Sequence, residues 1–361
     1  MRRRPTIVLG ASGLVGQRMQ QRLFNHPWFE LTAIGGRAER THQTLDEIPW
    51  RLEQQRPSLP IVPILDTSSE SFLDELTKLN IEVAFSCLPS DAAEHIESTL
   101  AQAGIAVFSN ASFHRRKQGI PLVIPDVNEE HFTEFSTSKG PHACGTNCTL
   151  IPMAAPLSAL RQFEMTKVKM RSEQALSGAG WRLLFDENAV RGELNPEIPG
   201  EAEKVHDEFL HVFGTHQNSE IHPADIEVDV KCERVARKDG HQVFVEATFT
   251  KPLSYENVIS AFQSKQFSEK VSQCPSAPHH PLHIVKEIDV KNHLWSDGVD
   301  FSEHPKPSEN LQTGMAVVVG NVEIHNQYTL SFSAYSHNTI RGAAGGTMLL
   351  AELAVVEGRI P

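Results

Sequence analysis

One cysteine in this sequence lies in a setting that could make it a nucleophile. Cys148 follows Gly145, Thr146 and Asn147 and stands where an extended segment runs into a predicted helix. The exposed N–H groups at a helix start stabilise a thiolate, which is the reactive form of a cysteine side chain. A buried cysteine is nevertheless more often an inert small hydrophobic residue, so a catalytic interpretation of Cys148 depends on its companions.

Charged and polar companions follow along the chain. The stretch Gln174–Gly180 is polar and rich in glycine, which is unusual for a strand end that only packs. An Asp-Gly turn joins two predicted strand ends and should bring Arg234 close to His241. Glu201 and Lys204 lie within one helical turn, and taken alone they look like an ordinary pair on a solvated helix surface. A catalytically idle protein would need none of the four residues Cys148, Gln174, Arg234 and His241.

A glycine-rich segment stands between the first predicted strand and the first predicted helix. Side chains are missing at its turn, so the backbone can approach a pyrophosphate, whose charge the helix N-terminus would stabilise. A tight turn without a nucleotide is the alternative, and the strand-turn-helix context favours the nucleotide. The segment consists of Gly10, Ala11, Ser12, Gly13, Leu14, Val15 and Gly16.

The end of the second predicted strand indicates which dinucleotide binds. An NAD enzyme usually places Asp or Glu there to hold the ribose 2′-hydroxyl. This sequence instead has Ile34, Gly35, Gly36 and Arg37, with Arg40 close behind. A cation in the place of the acid favours a 2′-phosphate and therefore NADP, unless Arg37 is only a solvated loop residue.

Strand and helix patterns that could position these residues alternate over the first hundred or so residues. That rhythm predicts a parallel, doubly wound sheet of the Rossmann type. Strands are expected at Thr6–Leu9, Phe29–Ile34, Ile81–Phe85 and Ile105–Phe108, and helices at Leu14–Phe24 and Asp91–Ala103.

The pattern changes after about residue 148. Several long segments alternate apolar and polar residues, which suits a mainly antiparallel sheet with one covered face. A helix at Cys148–Arg161 would contain Pro152 and Pro156, which should interrupt or bend it. The expected strands are Thr166–Met170, Ile226–Cys232, Val243–Thr250, Leu282–Val290, Met315–Ile324 and Tyr328–Tyr335.

Composition excludes several classes of protein. The chain has 361 residues, of which 40% are hydrophobic and 22% charged, so a packed core is feasible. Its formal net charge of -12 argues against a nucleic-acid partner, which would need a basic face. No apolar run approaches the roughly 20 residues that span a bilayer, and no apolar segment of a signal peptide follows the basic N-terminus.

The cysteines indicate a reducing compartment. Cys87, Cys144, Cys148, Cys232 and Cys274 are odd in number and show neither a CxxC pair nor a Cys/His metal spacing. The sequence therefore predicts a cytoplasmic protein without a metal site, in which the cysteines other than Cys148 are structural or incidental.

Taken together, the ordered motifs resemble those of the aspartate-semialdehyde dehydrogenases, in particular the archaeal and fungal branch of that family. The resemblance implies an N-terminal Rossmann domain at residues 1–147, a catalytic and dimerisation domain at residues 148–338, and a last helix at residues 339–361 that returns to the first domain. The motifs are the glycine-rich segment, Phe85–Pro89, Ser109–Ser112 with Arg115, Pro121–Pro125 with Val127 and Asn128, Asn147 with Cys148, Gln174–Gly180, Arg234, His241 and Ser336–Gly345.

The resemblance also implies an activity and roles for individual residues. The enzyme would reduce L-4-aspartyl phosphate to L-aspartate 4-semialdehyde and phosphate with NADP, in amino-acid biosynthesis. Cys148 would form a thioacyl intermediate, with His241 as its acid/base partner. Gln174 would orient the substrate, Arg234 would pair with its α-carboxylate, and Glu201 would take its α-ammonium group.

Anion and cofactor contacts complete this expectation. Arg115 and Lys204 would hold the phosphate, although Arg115 lies in a basic cluster that could be merely solvated. Asn147 would help to stabilise the thiolate and the developing oxyanion. A homodimer or homotetramer is implied as well. Further cofactor contacts are expected from Ser177, Gly178 and, at the nicotinamide amide, Asn338.

The sequence departs from the family pattern between Trp181 and Pro199, and Cys144 is also not expected. These departures leave the exact acyl substrate and the subunit contacts open. A related acyl reductase such as malonyl-CoA reductase is the alternative within the class, although its substrate has no ammonium group for Glu201. N-acetylglutamyl-phosphate reductase shares less of the motif order, and a catalytically idle nucleotide-binding homologue is the alternative outside the class.

Overall fold

A six-stranded sheet forms the first half of the computed structural model, which describes residues 2–41, 43–132, 139–217 and 220–360. Its strands are β1 (Arg4–Leu9), β2 (Phe29–Gly36), β3 (Ile64–Asp66), β4 (Val83–Ser86), β5 (Ala106–Ser109) and β6 (His142–Cys144). They lie in the order β3-β2-β1-β4-β5-β6, and every neighbouring pair is parallel. The helices of this half are α1 (Leu14–Leu23), α2 (Phe72–Lys78) and α3 (Ser90–Gln102).

The central strands of this sheet have apolar sequences because both of their faces are covered. All residues of β4 and β5 are buried, as is usual for a parallel sheet between two layers of helices. The Rossmann-type sheet predicted from the sequence is confirmed. The short β3 and α2 were not predicted, because three and seven residues carry too little pattern.

A mixed six-stranded sheet forms the second half. The remaining strands are β7 (Met165–Gln174), β8 (Thr215–Gln217), β9 (Glu220–His222), β10 (Glu227–Arg234), β11 (His241–Phe249), β12 (Leu282–Ile284), β13 (Val317–Asn326) and β14 (Thr329–Ser336). The order is β10-β7-β11-β14-β13-β12, while β8 and β9 pair separately. The pairs β7–β10 and β12–β13 are parallel and the other three are antiparallel, which agrees with the mainly antiparallel sheet expected.

Helices cover one face of this second sheet in the part of the chain that the structure describes. The helices that follow α3 along the chain are α4 (Leu150–Ala159), α5 (Trp181–Leu184), α6 (Glu187–Val190), α7 (Glu201–Val212), α8 (Tyr255–Ser264) and α9 (Gly345–Val356). α4, α7 and α8 pack on the covered face around a core that includes Phe209, Phe262 and Phe332. The opposite face carries a groove of about 520 Å³ lined by Lys169, Arg171, Phe244, Glu246, Ser331 and their neighbours.

The segment 235–240 joins the end of β10 at Arg234 to the start of β11 at His241, as expected, but the two strands do not pair with each other as a hairpin. β7 lies between β10 and β11, parallel to β10 and antiparallel to β11. The ends of β7 and β10 and the start of β11 therefore meet at one edge of the sheet. That edge still brings the two side chains together, because both have atoms within 3.1 Å of where a Cβ on Gly178 would lie.

The helix predicted at Cys148–Arg161 is shorter, but its prolines do not interrupt it. α4 begins at Leu150 and continues through Pro156 to Ala159. Pro152 lies in the first turn, where its missing N–H costs no hydrogen bond.

The strand predicted at Leu282–Val290 is wrong beyond Ile284. Lys286 and Ile288 hydrogen-bond to the backbone and side chain of Asn321 instead of extending a ladder. Asn321 has a φ of 55° and lies at an irregularity of β13, so regular pairing ends there.

The last helix packs in the first half of the molecule. Leu349, Leu350 and Leu353 of α9 are fully buried in a cluster with Val8 and Phe85 of the parallel sheet. A π-helical segment at residues 340–344 precedes this helix. None of the helices in the described ranges is both long and apolar enough to cross a membrane.

Candidate active site

The candidate site lies where the C-terminal edge of the parallel sheet meets one edge of the mixed sheet. The C-terminal edge of the parallel sheet carries the glycine-rich turn after β1, Arg37 after β2 and Cys148 after β6, and ligands bind at this edge in open α/β sheets. Gln174 and Arg234 end two strands of the second sheet. Cys148 and Arg234 interact electrostatically, so the two edges meet at the thiol.

The glycine-rich turn has no room for side chains at two of its positions. A Cβ on Gly10, whose φ is +72°, would lie 2.6 Å from the carbonyl oxygen of Cys87, and one on Gly16 would lie 2.3 Å from that of Gly10. Gly13 caps α1 without a side-chain hydrogen bond, so the first N–H groups of the helix are available to a ligand. This cradle fits a pyrophosphate.

Other predicted cofactor residues differ in exposure. In the turn, Ser12 is exposed, Val15 is half-buried, and Leu14 is buried against the second half of the molecule. Arg37 and Arg40 are exposed beyond β2, and neither makes an ion pair with a described residue. Both guanidinium groups can therefore reach a ligand at this edge.

Cys148 is half-buried two residues before α4. Burial raises the pKa of its thiol to about 12 and Glu201 acts in the same direction, while Arg115 and Arg234 oppose both. The N–H groups at the helix start thus do not determine the pKa of the thiol, contrary to the sequence expectation. The sulfur is desolvated and lies near a carboxylate, and both effects raise the pKa. A Cβ on Gly342, a residue to which the sequence analysis gave no role, would lie 2.7 Å from Cys148 Cβ.

Two acids of α7 hold the loop that carries the cysteine. Asn147 donates to Glu201 Oε1 from its side-chain amide at 2.9 Å, and to Glu208 Oε2 from its backbone N–H at 2.6 Å. Glu208 Oε1 accepts from Arg115 Nη1 at 2.9 Å in a nearly buried ion pair. Seven residues separate the acids, which places both on one helix face. Lys204, between them in sequence, is exposed and forms no ion pair with a described residue.

Glu208 was missed by the sequence analysis, and its removal is expected to destabilise the protein. Glu208→Ala would leave the buried Arg115 guanidinium without its carboxylate, with only the Asn110 carbonyl oxygen as a partner, and the Asn147 N–H without an acceptor. Breaking a buried ion pair in this way costs roughly 3–5 kcal/mol in the free energy of unfolding. Urea unfolding should show this loss, with Glu203→Ala on the exposed side of the same helix as the control. Equal stabilities of the two variants would contradict the structural role of Glu208.

His241 is buried and neutral. Burial lowers its pKa well below the usual range, with Arg234 and Arg237 acting in the same direction. Its Nδ1 accepts a hydrogen bond from the Ala175 backbone N–H at 3.1 Å, so the proton of the neutral ring is on Nε2. Nε2 has no hydrogen-bond partner among the described residues and lies beside Gly178. His241 thus presents an N–H donor to the site.

The Arg234 guanidinium makes a hydrogen bond through one of its nitrogens, and its other nitrogens are available to a substrate. Its Nη1 donates to the Ala175 carbonyl oxygen at 2.7 Å, and it forms no ion pair in the described part of the chain. Gln174, on the neighbouring strand, is buried and donates to Ser172 Oγ at 3.4 Å. The free side of the guanidinium can make the paired hydrogen bonds that a carboxylate accepts.

Asn338 already has hydrogen bonds at both ends of its amide. Its Nδ2 donates to Ser177 Oγ at 2.9 Å, and its Oδ1 accepts from the Gly240 N–H at 2.8 Å. A contact with a nicotinamide amide would have to share or replace these bonds. Asn338 therefore fixes the Ser177–Gly178 turn beside His241 and Arg234 in this state.

The segment that departs from the expected family pattern connects the two halves of the site. Trp181 donates its indole N–H to the Ser12 carbonyl oxygen at 3.0 Å, directly on the glycine-rich turn. Leu184 packs with Leu14 in a small apolar cluster. Farther along, the Pro196 carbonyl oxygen accepts from the Arg234 N–H at 2.7 Å.

Comparisons with known proteins show which proteins this chain and its fold resemble. Residues 6–135 match the family model described as "Semialdehyde dehydrogenase, NAD binding domain". An aspartate-semialdehyde dehydrogenase of Archaeoglobus fulgidus is 33% identical, with 97% of each chain covered. The crystal structure of aspartate semialdehyde dehydrogenase with NADP from Candida albicans matches with a TM-score of 0.79 at 26% identity, covering 99% of this chain and all of that one. A malonyl-CoA reductase (NADP) of Metallosphaera sedula is 28% identical, with 98% and 97% covered.

Proposed function

The chain belongs to the aspartate-semialdehyde dehydrogenase family, and on that premise we propose that it interconverts L-4-aspartyl phosphate and L-aspartate 4-semialdehyde with NADP in amino-acid biosynthesis in the cytoplasm. The observation that carries the proposal is the set of charges around one thiol. Cys148 lies within electrostatic range of one acid, Glu201, and two guanidinium groups, Arg115 and Arg234. An amino acid that carries an acyl phosphate needs one cation site and two anion sites, and this set supplies them.

The substrate would bind with each charge opposite one residue. Arg234 would take the α-carboxylate through its free nitrogens, and Glu201 the α-ammonium group. The phosphate would lie at Arg115, whose buried Nε has no hydrogen-bond partner in the described residues, with the exposed Lys204 nearby on α7. Gln174 would orient the acyl group. Cys148 Sγ would then attack the acyl carbon, forming a thioester bond as the bond to the phosphate oxygen breaks.

The cofactor would occupy the edge of the parallel sheet. Gly10 to Gly16 would hold its pyrophosphate and Arg37 its 2′-phosphate, while Ser177 and Asn338 would contact the nicotinamide end. NADPH supplies a hydride for reduction of the thioester. The fit rests on the cradle that a Cβ would fill at Gly10 and Gly16.

His241 would donate a hydrogen bond to the acyl oxygen of the substrate. This oxygen gains negative charge both when Cys148 attacks and when the thioester is reduced. With Nδ1 occupied by the Ala175 N–H, the neutral ring can donate a hydrogen bond from Nε2 but cannot accept a proton there. To take the Cys148 proton, the ring must first release the Ala175 N–H. Its acid/base role therefore requires a change of hydrogen bonding when the substrate binds.

Malonyl-CoA reduction is the second candidate, because one of the relatives has that name. The acid at Glu201 favours a substrate with an ammonium group. Phosphate-dependent reduction of NADP with aspartate semialdehyde tests the first proposal directly. Oxidation of NADPH with malonyl-CoA at a higher kcat/KM would replace it, and no turnover in either assay would indicate an idle homologue.

Arg37→Ala is expected to weaken NADP binding selectively. Loss of a charged hydrogen bond to the 2′-phosphate should raise KM for NADP roughly 10- to 100-fold and leave KM for NAD almost unchanged. Steady-state kinetics with both cofactors measure this, with Arg40→Ala as the matched control. An unchanged NADP/NAD ratio for Arg37→Ala would assign the 2′-phosphate to Arg40 or to no site at this edge.

A homo-oligomer would use the uncovered face of the mixed sheet. That face presents Phe244, over which the Arg171 guanidinium lies at 4.3 Å, beside a row of charged side chains. We expect Phe244→Asp to convert a dimer into monomers in sedimentation experiments. A mass unaffected by this substitution, or a monomeric parent protein, would contradict this interface.

A further inference from the structure

Three potential metal ligands meet behind the active-site loops. Glu97 of α3, His114 of the loop after β5, and His142 at the start of β6 are each no more than 3% exposed. Their ligand atoms all lie within 4.8 Å of one another. None of the three belongs to the site described above.

The carboxylate of Glu97 is oriented toward the two imidazoles. Its Oε1 accepts from Ser109 Oγ at 2.6 Å, which fixes the group. Its Oε2 lies 3.2 Å from His142 Nε2 and 3.8 Å from His114 Nε2. Tetrahedral ligands about 2.1 Å from a zinc ion are about 3.4 Å apart. The two distances from Glu97 are close to this spacing, and the two imidazole nitrogens lie within 4.8 Å of each other, so a small movement of the rings would complete it.

His114 supplies an independent observation. Both of its ring nitrogens are buried and neither makes a hydrogen bond of ordinary geometry among the described residues, although the backbone of Ala93 lies near the ring. Buried polar atoms usually have a well-placed partner, so an imidazole without one, beside a fixed carboxylate, needs an explanation. A hydrogen bond to Glu97 does not provide one, because 3.8 Å is too long.

We propose that Glu97, His114 and His142 bind a divalent transition-metal ion of the zinc class. Two nitrogen donors and one carboxylate suit zinc and its neighbours, and do not suit magnesium or calcium, which take oxygen ligands. A dication would also neutralise the negative charge of the buried carboxylate. The sequence analysis predicted no metal site, because the ligands are spread over 45 residues and form no recognisable spacing.

The position of the ion gives it a structural role. It would join α3 to two segments that lead into the active site, since His114 precedes Arg115 and β6 runs from His142 toward Cys148. The surroundings are closed, so no substrate would reach the metal. We therefore expect it to stabilise the fold and the position of these loops without taking part in the reaction.

Metal analysis of the full-length Cys148→Ser protein tests the proposal, because this background removes the active-site thiol as a competing zinc ligand. Protein produced with zinc and then dialysed should retain about one zinc per chain by mass spectrometry. Cobalt(II) added to the stripped protein should give the intense visible bands of four- or five-coordinate cobalt. Zinc should also raise Tm of the stripped protein by several degrees.

Ligand variants and one control assign the site. His114→Gln and Glu97→Gln should each lower the zinc content at least about tenfold, whereas His95→Gln, on the exposed side of α3, should not change it. Zinc below one-tenth per chain in the parent, with no visible cobalt bands, would overturn the proposal. A folded His114→Gln protein with undiminished zinc would overturn it too. If that variant does not fold, the zinc content and cobalt spectrum of the Cys148→Ser parent still decide whether the metal site exists.

Discussion

Cys148→Ala is expected to abolish turnover while leaving NADP binding intact. The proposed reaction needs a group that attacks the acyl carbon and later leaves it, expelled by phosphate in the oxidation and released as the aldehyde forms in the reduction, and a thiolate does both better than an alkoxide. By comparison with other enzymes that lose a nucleophile, kcat should fall by about 10⁴-fold or more. Stopped-flow or steady-state assays measure the loss, and fluorescence titration with NADP shows whether the cofactor site is unchanged.

Alkylation identifies the reactive thiol independently of turnover. Below a pKa of about 12 the thiolate fraction of Cys148 rises about tenfold per pH unit, so its reaction with iodoacetamide should accelerate steadily from pH 6 to pH 10. Burial also raises the pKa of Cys144, and Glu97 adds to this effect, so Cys144 should react more slowly. His241→Ala should slow turnover severely and still permit alkylation. Appreciable activity of Cys148→Ala, or faster labelling of Cys144, would show that the nucleophile is assigned wrongly.

Arg234→Lys is expected to lower kcat/KM strongly although it keeps the charge. The Ala175 carbonyl oxygen holds Nη1 and sets the plane of the guanidinium, which leaves two nitrogens for a carboxylate. A lysine ammonium cannot reproduce that fork. The loss should amount to roughly 2–4 kcal/mol of transition-state stabilisation, or about 30- to 1000-fold in kcat/KM.

The matched control for this substitution is Arg191→Lys, at the exposed end of α6. It should leave kcat/KM unchanged. A loss below about tenfold for Arg234→Lys would place the substrate carboxylate elsewhere. Equal losses for aspartate semialdehyde and for an analogue that lacks the carboxylate would do the same.

The sequence predicted the elements of the first half well because their patterns are local. The apolar runs of β4 and β5 and the glycine turn before α1 each reflect burial or backbone geometry within a few residues. The second half was less predictable because its strand order is not local. The insertion of β7 between β10 and β11 could not be inferred from an Asp-Gly turn.

Single residues of the candidate site were likewise predictable only where their local sequence is distinctive. The motif order selected Cys148, Arg234 and His241, but Glu208 has no distinctive neighbour in sequence and gains its importance from contacts with distant residues. The raised pKa of the thiol also depends on burial and on a helix far along the chain. The protonation state of a group in an assembled site therefore could not be derived from its local motif.

The hydrogen bond between Trp181 and the glycine-rich turn gives the protein an optical reporter of its own. The indole is bonded to the Ser12 carbonyl oxygen and stacks on Phe185, and it is one of only four tryptophans in the chain. Reduced nicotinamide absorbs where tryptophan emits, so energy transfer from this fluorophore would make its emission decrease as the dinucleotide binds. Binding could thus be followed without labels, and Trp181→Phe would identify the share of the quenching that arises at the turn.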